Sequence, residues 1–193
     1  MAFSPTKFRT ALSSGGGTAR PSLYKIDIND FKGTLALSTT ENLLVKAASL
    51  PASNIAPLAV NYAGRAYKWQ GFRTYDNWTV TVINDESFSI RNKMMEWMRQ
   101  ISGQMDGKRS TQYGKTGETL FDGDATVTQV MTDGYELESY KMFNLWPTEL
   151  GEIAVDWSSD AIQEYTIGFA YDYFTKGGAS ATSSTNVGML WDE

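Results

Sequence analysis

The side chains that most often carry chemistry are scarce in this sequence. Cysteine and histidine are both absent, which removes the thiolate nucleophile, the commonest proton shuttle near neutral pH and the two commonest transition-metal ligands. Carboxylates remain. Glu136 and Glu138, and Asp122 and Asp124, stand two residues apart, and a pair of carboxyl groups can run glycoside hydrolysis. On a strand, that spacing places both members on one face, where simple alternation accounts for them. Asp122-Gly123-Asp124 opens like a calcium loop, yet the spaced ligands and closing glutamate of an EF-hand do not follow. Gly15-Gly16-Gly17-Thr18 has no lysine for a phosphate and does not sit between a strand and a helix. Arg65, Lys68 and Arg73 lie among Tyr67, Trp69, Phe72 and Tyr75, the mixture that grips single-stranded nucleic acid. An exposed strand with basic tips has the same composition, and an acidic chain favours that reading. The residues point to a protein that is not an enzyme and takes no cofactor or metal.

The elements that must position these residues are mainly strands. Tyr24, Ile26 and Ile28 alternate with Lys25, Asp27 and Asn29, and Leu35, Leu37 and Thr39 repeat the pattern past a turn at Lys32-Gly33, which predicts a hairpin. Leu43 to Ser49 and Leu58 to Trp69 read as extended, separated by a loop from Leu50 to Pro57 that holds two prolines. Trp78, Val80 and Val82 share one strand face. From Glu86 to Ile101, apolar Ile90, Met94, Trp97, Met98 and Ile101 form one helical stripe, with Asn84 or Asp85 as cap and Gly103 as terminator. Gln104 to Asp124 reads as a glycine-rich surface loop. Strands follow at Ala125–Met131, Tyr135–Leu145, Ile153–Trp157 and Ile162–Phe174, the last with Tyr165, Ile167, Phe169, Tyr171 and Tyr173 on one face. About eight strands and one helix predict a mainly β chain, an antiparallel barrel or sandwich with a flanking helix. Aromatics make up 13% of the chain, enough ring surface for a real core, in which Trp78, Trp97, Trp146 and Trp157 are the expected anchors.

The ends differ from the middle. Residues 1–21 carry the Ser13-to-Thr18 flexible run and read as an N-terminal arm, residues 22–174 as the domain, and residues 175–193 as a C-terminal arm ending in Met189, Leu190 and Trp191. No stretch reaches the ~18 apolar residues of a membrane helix, and the start lacks a signal-peptide core, so a soluble cytosolic product is expected. Charge is polarised along the chain. Residues 1–117 hold fifteen Lys/Arg against eight Asp/Glu, whereas residues 118–172 hold twelve acids against Lys141 alone. Such a split suits a solvated acidic face, a self-associating pair of surfaces, or a wall that does not grip nucleic acid.

Three stretches resemble the tail tube proteins of contractile-tailed bacteriophages. The first runs Gly64-Arg65-Ala66-Tyr67-Lys68-Trp69-Gln70-Gly71-Phe72-Arg73-Thr74-Tyr75-Asp76-Asn77-Trp78-Thr79-Val80-Thr81-Val82-Ile83-Asn84-Asp85-Glu86. The second is Asn144-Leu145-Trp146-Pro147-Thr148-Glu149-Leu150-Gly151-Glu152-Ile153 with Asp156-Trp157 and the alternating strand ending near Tyr171-Asp172-Tyr173. The third is Ala19-Arg20-Pro21-Ser22-Leu23-Tyr24. Together they span most of Ala19 to Phe174. The C-terminal arm and the loop from Gln104 depart from the family pattern.

The resemblance implies a structural virion protein, made in the host cytoplasm, whose hexameric rings stack into a tube inside a contractile sheath and pass genomic DNA. Its partners would be itself, the sheath protein, baseplate initiators and DNA moving through without sequence-specific binding. Inter-ring contact is expected of Phe3, Phe8 and Leu12, of Leu50, Pro51, Ile55 and Pro57, and of Met189, Leu190 and Trp191. A conduit must not bind its cargo, so the lumen is expected to be acidic, with Glu136, Glu138, Asp156, Glu164 and Asp172 as contributors. Sheath contact is assigned to outward charges of the helix or the glycine-rich loop. The alternatives are a baseplate-to-tube junction protein or the inner tube of a phage-derived injection machine. A sugar-binding sandwich using Trp69 or Tyr67 and a glycosidase belong to other classes, and a monomer that binds or cleaves sugar would distinguish them.

Overall fold

The computed structural model describes residues 4–14, 18–30, 35–103, 123–131, 134–158 and 160–177. Phe3, the 104–122 part of the glycine-rich loop, and Met189, Leu190 and Trp191 lie outside the described residues. Along the chain run helix α1 (Pro5–Ser14), strand β1 (Tyr24–Asn29), short helix α2 (Thr39–Asn42), and strands β2 (Val45–Ala48), β3 (Ser53–Tyr62), β4 (Arg65–Tyr75) and β5 (Trp78–Ile83). Helix α3 (Ser89–Ile101) and strands β6 (Gly123–Val130), β7 (Glu136–Leu150), β8 (Glu164–Ala170) and β9 (Tyr173–Gly177) follow. Every strand pair is antiparallel. The main sheet runs β1-β6-β7-β8-β5-β2 with β9 also on β7, while β3 and β4 form a separate two-stranded ribbon.

Alternation places the core. Trp78, Val80 and Val82 of β5 are buried beside Tyr165, Ile167 and Phe169 of β8, and Ile26, Ile28, Ala125 and Val127 line the other half of the sheet. Helix α3 lays Ile90, Met94 and Trp97 onto this surface, as its apolar stripe predicts. The rings of Trp78 and Trp97 both meet Phe169, with centroids 5.6 and 6.4 Å away. Trp78 satisfies its one donor by donating from Nε1 to the Ser49 carbonyl at 2.7 Å. The helix begins three residues later than the sequence indicates. Its cap position is Phe88, at φ 53°, while Asp85 accepts from the Ser89 amide at 3.1 Å and so supplies the capping oxygen from one turn away.

Strand β7 serves both halves of the sheet. Residues 136–145 pair with β6, and Trp146–Leu150 pair with β8. Asn144, at φ 54°, lies at the changeover, a conformation asparagine tolerates better than most residues. It brings both Met142 and Leu145 to buried positions although they are three residues apart. The β8–β9 run keeps one register against β7, with Trp146 opposite Ala170 and Phe143 opposite Tyr173. The single strand expected over 162–174 is therefore two strands, interrupted at Tyr171-Asp172 without loss of alignment. The two ends of the sheet are not joined by a ladder: the Tyr24 hydroxyl donates to the Val45 carbonyl at 2.9 Å and also to that of Lys46.

Other expectations need correction. The strand expected over Leu35, Leu37 and Thr39 does not form among the described residues. Leu37 is buried and its amide donates to the Ile28 carbonyl at 3.0 Å, but Ser38 then caps α2 through a reciprocal bond pair with Glu41, which turns the chain away. Ile153–Trp157 is loop, and Trp157 is fully exposed instead of an anchor, at 107%. Trp146 is half-buried on β7. Within the stretch read as a flexible arm, Pro5–Ser14 is helical, started by proline at its first position and by the Ser4 hydroxyl accepting from Lys7 at 3.4 Å.

Candidate functional site

The ribbon of β3 and β4 stands apart from the core. All ten residues of β3 are exposed, and of the eleven in β4 only Gly71 and Tyr75 are not. Leu50–Pro57, read from its prolines as a loop, supplies the first half of β3, because Pro57 sits beside a bulge in the ladder where a missing N–H is tolerated. Gly71 faces that bulge; a Cβ there would lie 2.3 Å from the Ala56 carbonyl oxygen. The turn is Ala63-Gly64, both at positive φ (51° and 75°), as a two-residue hairpin loop demands.

Register sorts the ribbon into two faces. Leu58 opposes Trp69, Val60 opposes Tyr67 and Tyr62 opposes Arg65, so five large apolar side chains share one face. Trp69 is 64% exposed and Tyr62 75%, and Phe72 reaches 92%. Residues 53–75 hold Arg65, Lys68 and Arg73 and no acid, and none of the three cations has an ion-pair partner among the described residues.

A second exposed apolar surface lies between β7 and β8. Val155 is 82% exposed and Ile162 72%, beside Trp157. Glu152, Asp156 and Asp160 are the charges of residues 151–163, with no Lys or Arg. Asp156 accepts from the amide and hydroxyl of Ser158 at 2.9 and 2.8 Å, bonds that hold its carboxyl below the usual range. The Gly151 end of the loop is pinned, its amide bonded to Thr166 and its carbonyl to Arg91. A third, smaller apolar surface is Phe8 and Leu12, one turn apart and exposed on α1.

The five acids expected in one lumen-facing set are not brought together. A bulge at Leu137 places Glu136 opposite Val130 and Glu138 opposite Gln129, which are neighbours and so face opposite ways. The even spacing read as one face is thereby split. Glu138 pairs with Lys176 at 2.9 Å and Glu164 with Lys46 at 2.6 Å. Asp172 accepts from Asn144 at 2.7 Å in the break between β8 and β9, and Asp156 is in the exposed loop. Among the described residues, no group of three acidic side chains converges to hold a metal ion, and no helix is long and apolar enough to cross a membrane.

Comparison with known families places residues 6–176 within the phage tail tube protein family model. The chain belongs to that family. It is 31% identical over 170 residues to the tail tube protein gp19 of Enterobacteria phage T4, covering 86% of this chain and 96% of the relative. To the tail tube protein of Serratia phage KSP90 it is 24% identical over 172 residues, covering 86% and 92%. Among solved structures it is similar to the tube-terminating cap of the anti-feeding prophage, with a TM-score of 0.60, 17% identity, and coverage of 83% of this chain and 91% of that one. A sheath-tube complex of an extracellular contractile injection system matches at 0.53 and 14% identity, covering 91% and 99%. The chain is thus a tail tube protein of the kind found in contractile phages, a structural component of the virion tail with an antiparallel sheet and one main helix.

The sequence names Ile55 and Pro57 as contact candidates within a loop, and does not show the ribbon in which the structure places them. Leu58, Val60, Tyr62, Tyr67 and Trp69 were readable as alternating apolar residues on both sides of Ala63-Gly64. The signal was weak because Ala-Gly is a rarer hairpin turn than Asn-Gly. Val155 and Ile162 were missed because the segment was read as strand.

Proposed function

We propose that the chain polymerises as stacked hexameric rings into the inner tube of a contractile tail, enclosed by a sheath and conducting DNA. The observation that carries this is the β3–β4 ribbon. Isolated two-stranded hairpins are marginal in water, and a ribbon with one apolar face needs a surface to cover it. This chain covers neither ribbon nor loop with its described residues. Where the two surfaces differ the contact is head-to-tail, and it propagates as a filament when the rotation between copies does not close a ring. The apolar ribbon of Ile55, Pro57 and the residues beyond them, together with Phe8 and Leu12 of α1, provides the inter-ring contact in this reading, with Leu50 and Pro51 at the ribbon's foot. The phage origin of the curated relatives supports DNA as the cargo.

The lumen's negative potential is assigned to Glu136 and Asp172, with Glu138 offset by Lys176, Glu164 offset by Lys46 and Asp156 displaced to the exposed loop. A tube map with both on the outer wall removes that assignment. The test of the whole reading is negative-stain electron microscopy of the concentrated protein, with and without baseplate components. Hollow tubes of stacked rings are expected once a nucleus is supplied. Persistent monomers beside a competent baseplate would overturn the reading.

A further inference from the structure

We infer that the basic apolar ribbon β3–β4 of one copy docks on the acidic apolar loop 151–163 of a second copy, making these two surfaces the complementary halves of the inter-ring contact. The inference rests on the proposed tube assembly and names which surfaces meet.

Position is the first argument. Both feet of the ribbon join the sheet beside Trp78, at the start of β5: β2 ends opposite Val80, and β4 ends three residues before Trp78. The loop lies at the other end of the same strand. Ile83 pairs with Glu164, and the Asn84 amide donates to the Gln163 carbonyl at 2.9 Å. Six residues of strand separate the two attachment points, about 17 Å at the usual rise per residue. One surface therefore leaves the domain at each end of β5. Copies stacked along that direction bring a ribbon to a loop at every junction.

Chemistry is the second argument. The ribbon holds three cations and no acid, and the loop three acids and no cation. Each also exposes large apolar side chains, the Tyr67 and Trp69 face on one and Val155 and Trp157 on the other. Opposite charge around apolar anchors is the composition of a specific interface. A self-complementary contact between two ribbons would set three cations against three. Trp157 is uncovered by the described residues, and the docking gives it a partner.

The test is charge reversal on both surfaces. Arg65→Glu with Lys68→Glu reverses the ribbon, and Glu152→Lys with Asp160→Lys reverses the loop while sparing the Asp156–Ser158 turn. All four side chains are exposed, so each variant is expected to melt like the parent. Tube mass, measured by sedimentation with a baseplate nucleus, is expected to fall more than about tenfold for either pair alone, because like charges then oppose across the contact. The chain carrying all four substitutions is expected to recover tubes, since reversed ribbon meets reversed loop. Parent-like assembly by either pair, or no recovery in the combined chain, overturns the docking while leaving the tube intact. Failure of the parent chain itself to form tubes overturns the assembly reading and this contact with it.

Discussion

Glu41 is the charged side chain on which the fold depends most visibly. It receives the Ser38 amide at 2.7 Å and the Lys93 ammonium at 2.6 Å, while Lys93 also donates to the Ala36 carbonyl at 3.1 Å. One carboxylate thus caps α2 and ties it to α3. Burial opposes its charge, yet the bonds from Lys93 and Ser38 outweigh that and lower its pKa to about 2. A carboxyl with a depressed folded pKa stabilises the native state above its unfolded value and loses that contribution as pH falls through the folded one. The contribution of Glu41 to the melting temperature is accordingly expected to be full and constant above pH ~4.5 and to decline from there toward pH ~2. Glu41→Gln is expected to cost about 2 kcal/mol at pH 7 in denaturant titration and to flatten that acid limb. Two tryptophans separate folding from assembly. Trp78→Ala removes a fully buried ring and is expected to cost roughly 3–5 kcal/mol, whereas Trp157→Ala is expected to stay within about 0.5 kcal/mol of the parent. Only the second leaves a folded subunit in which tube yield can be read, and that yield is expected to drop.

At the level of elements, the ribbon is the part of the fold that differs most from the core, and this has a measurable signature in the free subunit. Its Arg65, Lys68 and Arg73 are exposed on strands held by one partner each. Limited trypsin digestion of the monomer is expected to cut there first, while β5, β8 and α3 resist; in assembled tubes those sites should be protected. Cutting that begins in the core strands instead would contradict the description of the ribbon as uncovered. The same contrast explains what was legible in the sequence. Helix α3 and strands β5 and β8 announced themselves because each has one apolar face against one core, so period and burial coincide. The ribbon obeys the same period with no core beneath it, and Pro51 and Pro57 masked its start. The second strand expected after β1 stops at one backbone bond, from Leu37 to Ile28, because Ser38 and Glu41 then form a helix cap that outweighs strand alternation. Trp157 was misjudged because a large ring between apolar residues signals burial, and the described residues do not supply that burial.

For the whole molecule, polarity is the organising property. The sequence passes from a basic to an acidic half, and the fold turns that order into space by placing a cationic ribbon and an anionic loop at opposite ends of β5. The acids expected to act together in a lumen were not legible as a set. Bulges, lysine partners and a loop position separate Glu136, Glu138 and Asp156, and none of these features has a local signature stronger than alternation. In the proposed assembly, these unlike, complementary ends let the subunit add to itself in one direction. A helical reconstruction of the assembled tube measures this most directly. Stacked rings are expected, with the β3–β4 ribbon crossing each ring boundary and its Trp69 face covered by the copy beyond. A tube whose ribbons lie free on the outer wall, or are buried only within their own ring, would contradict it.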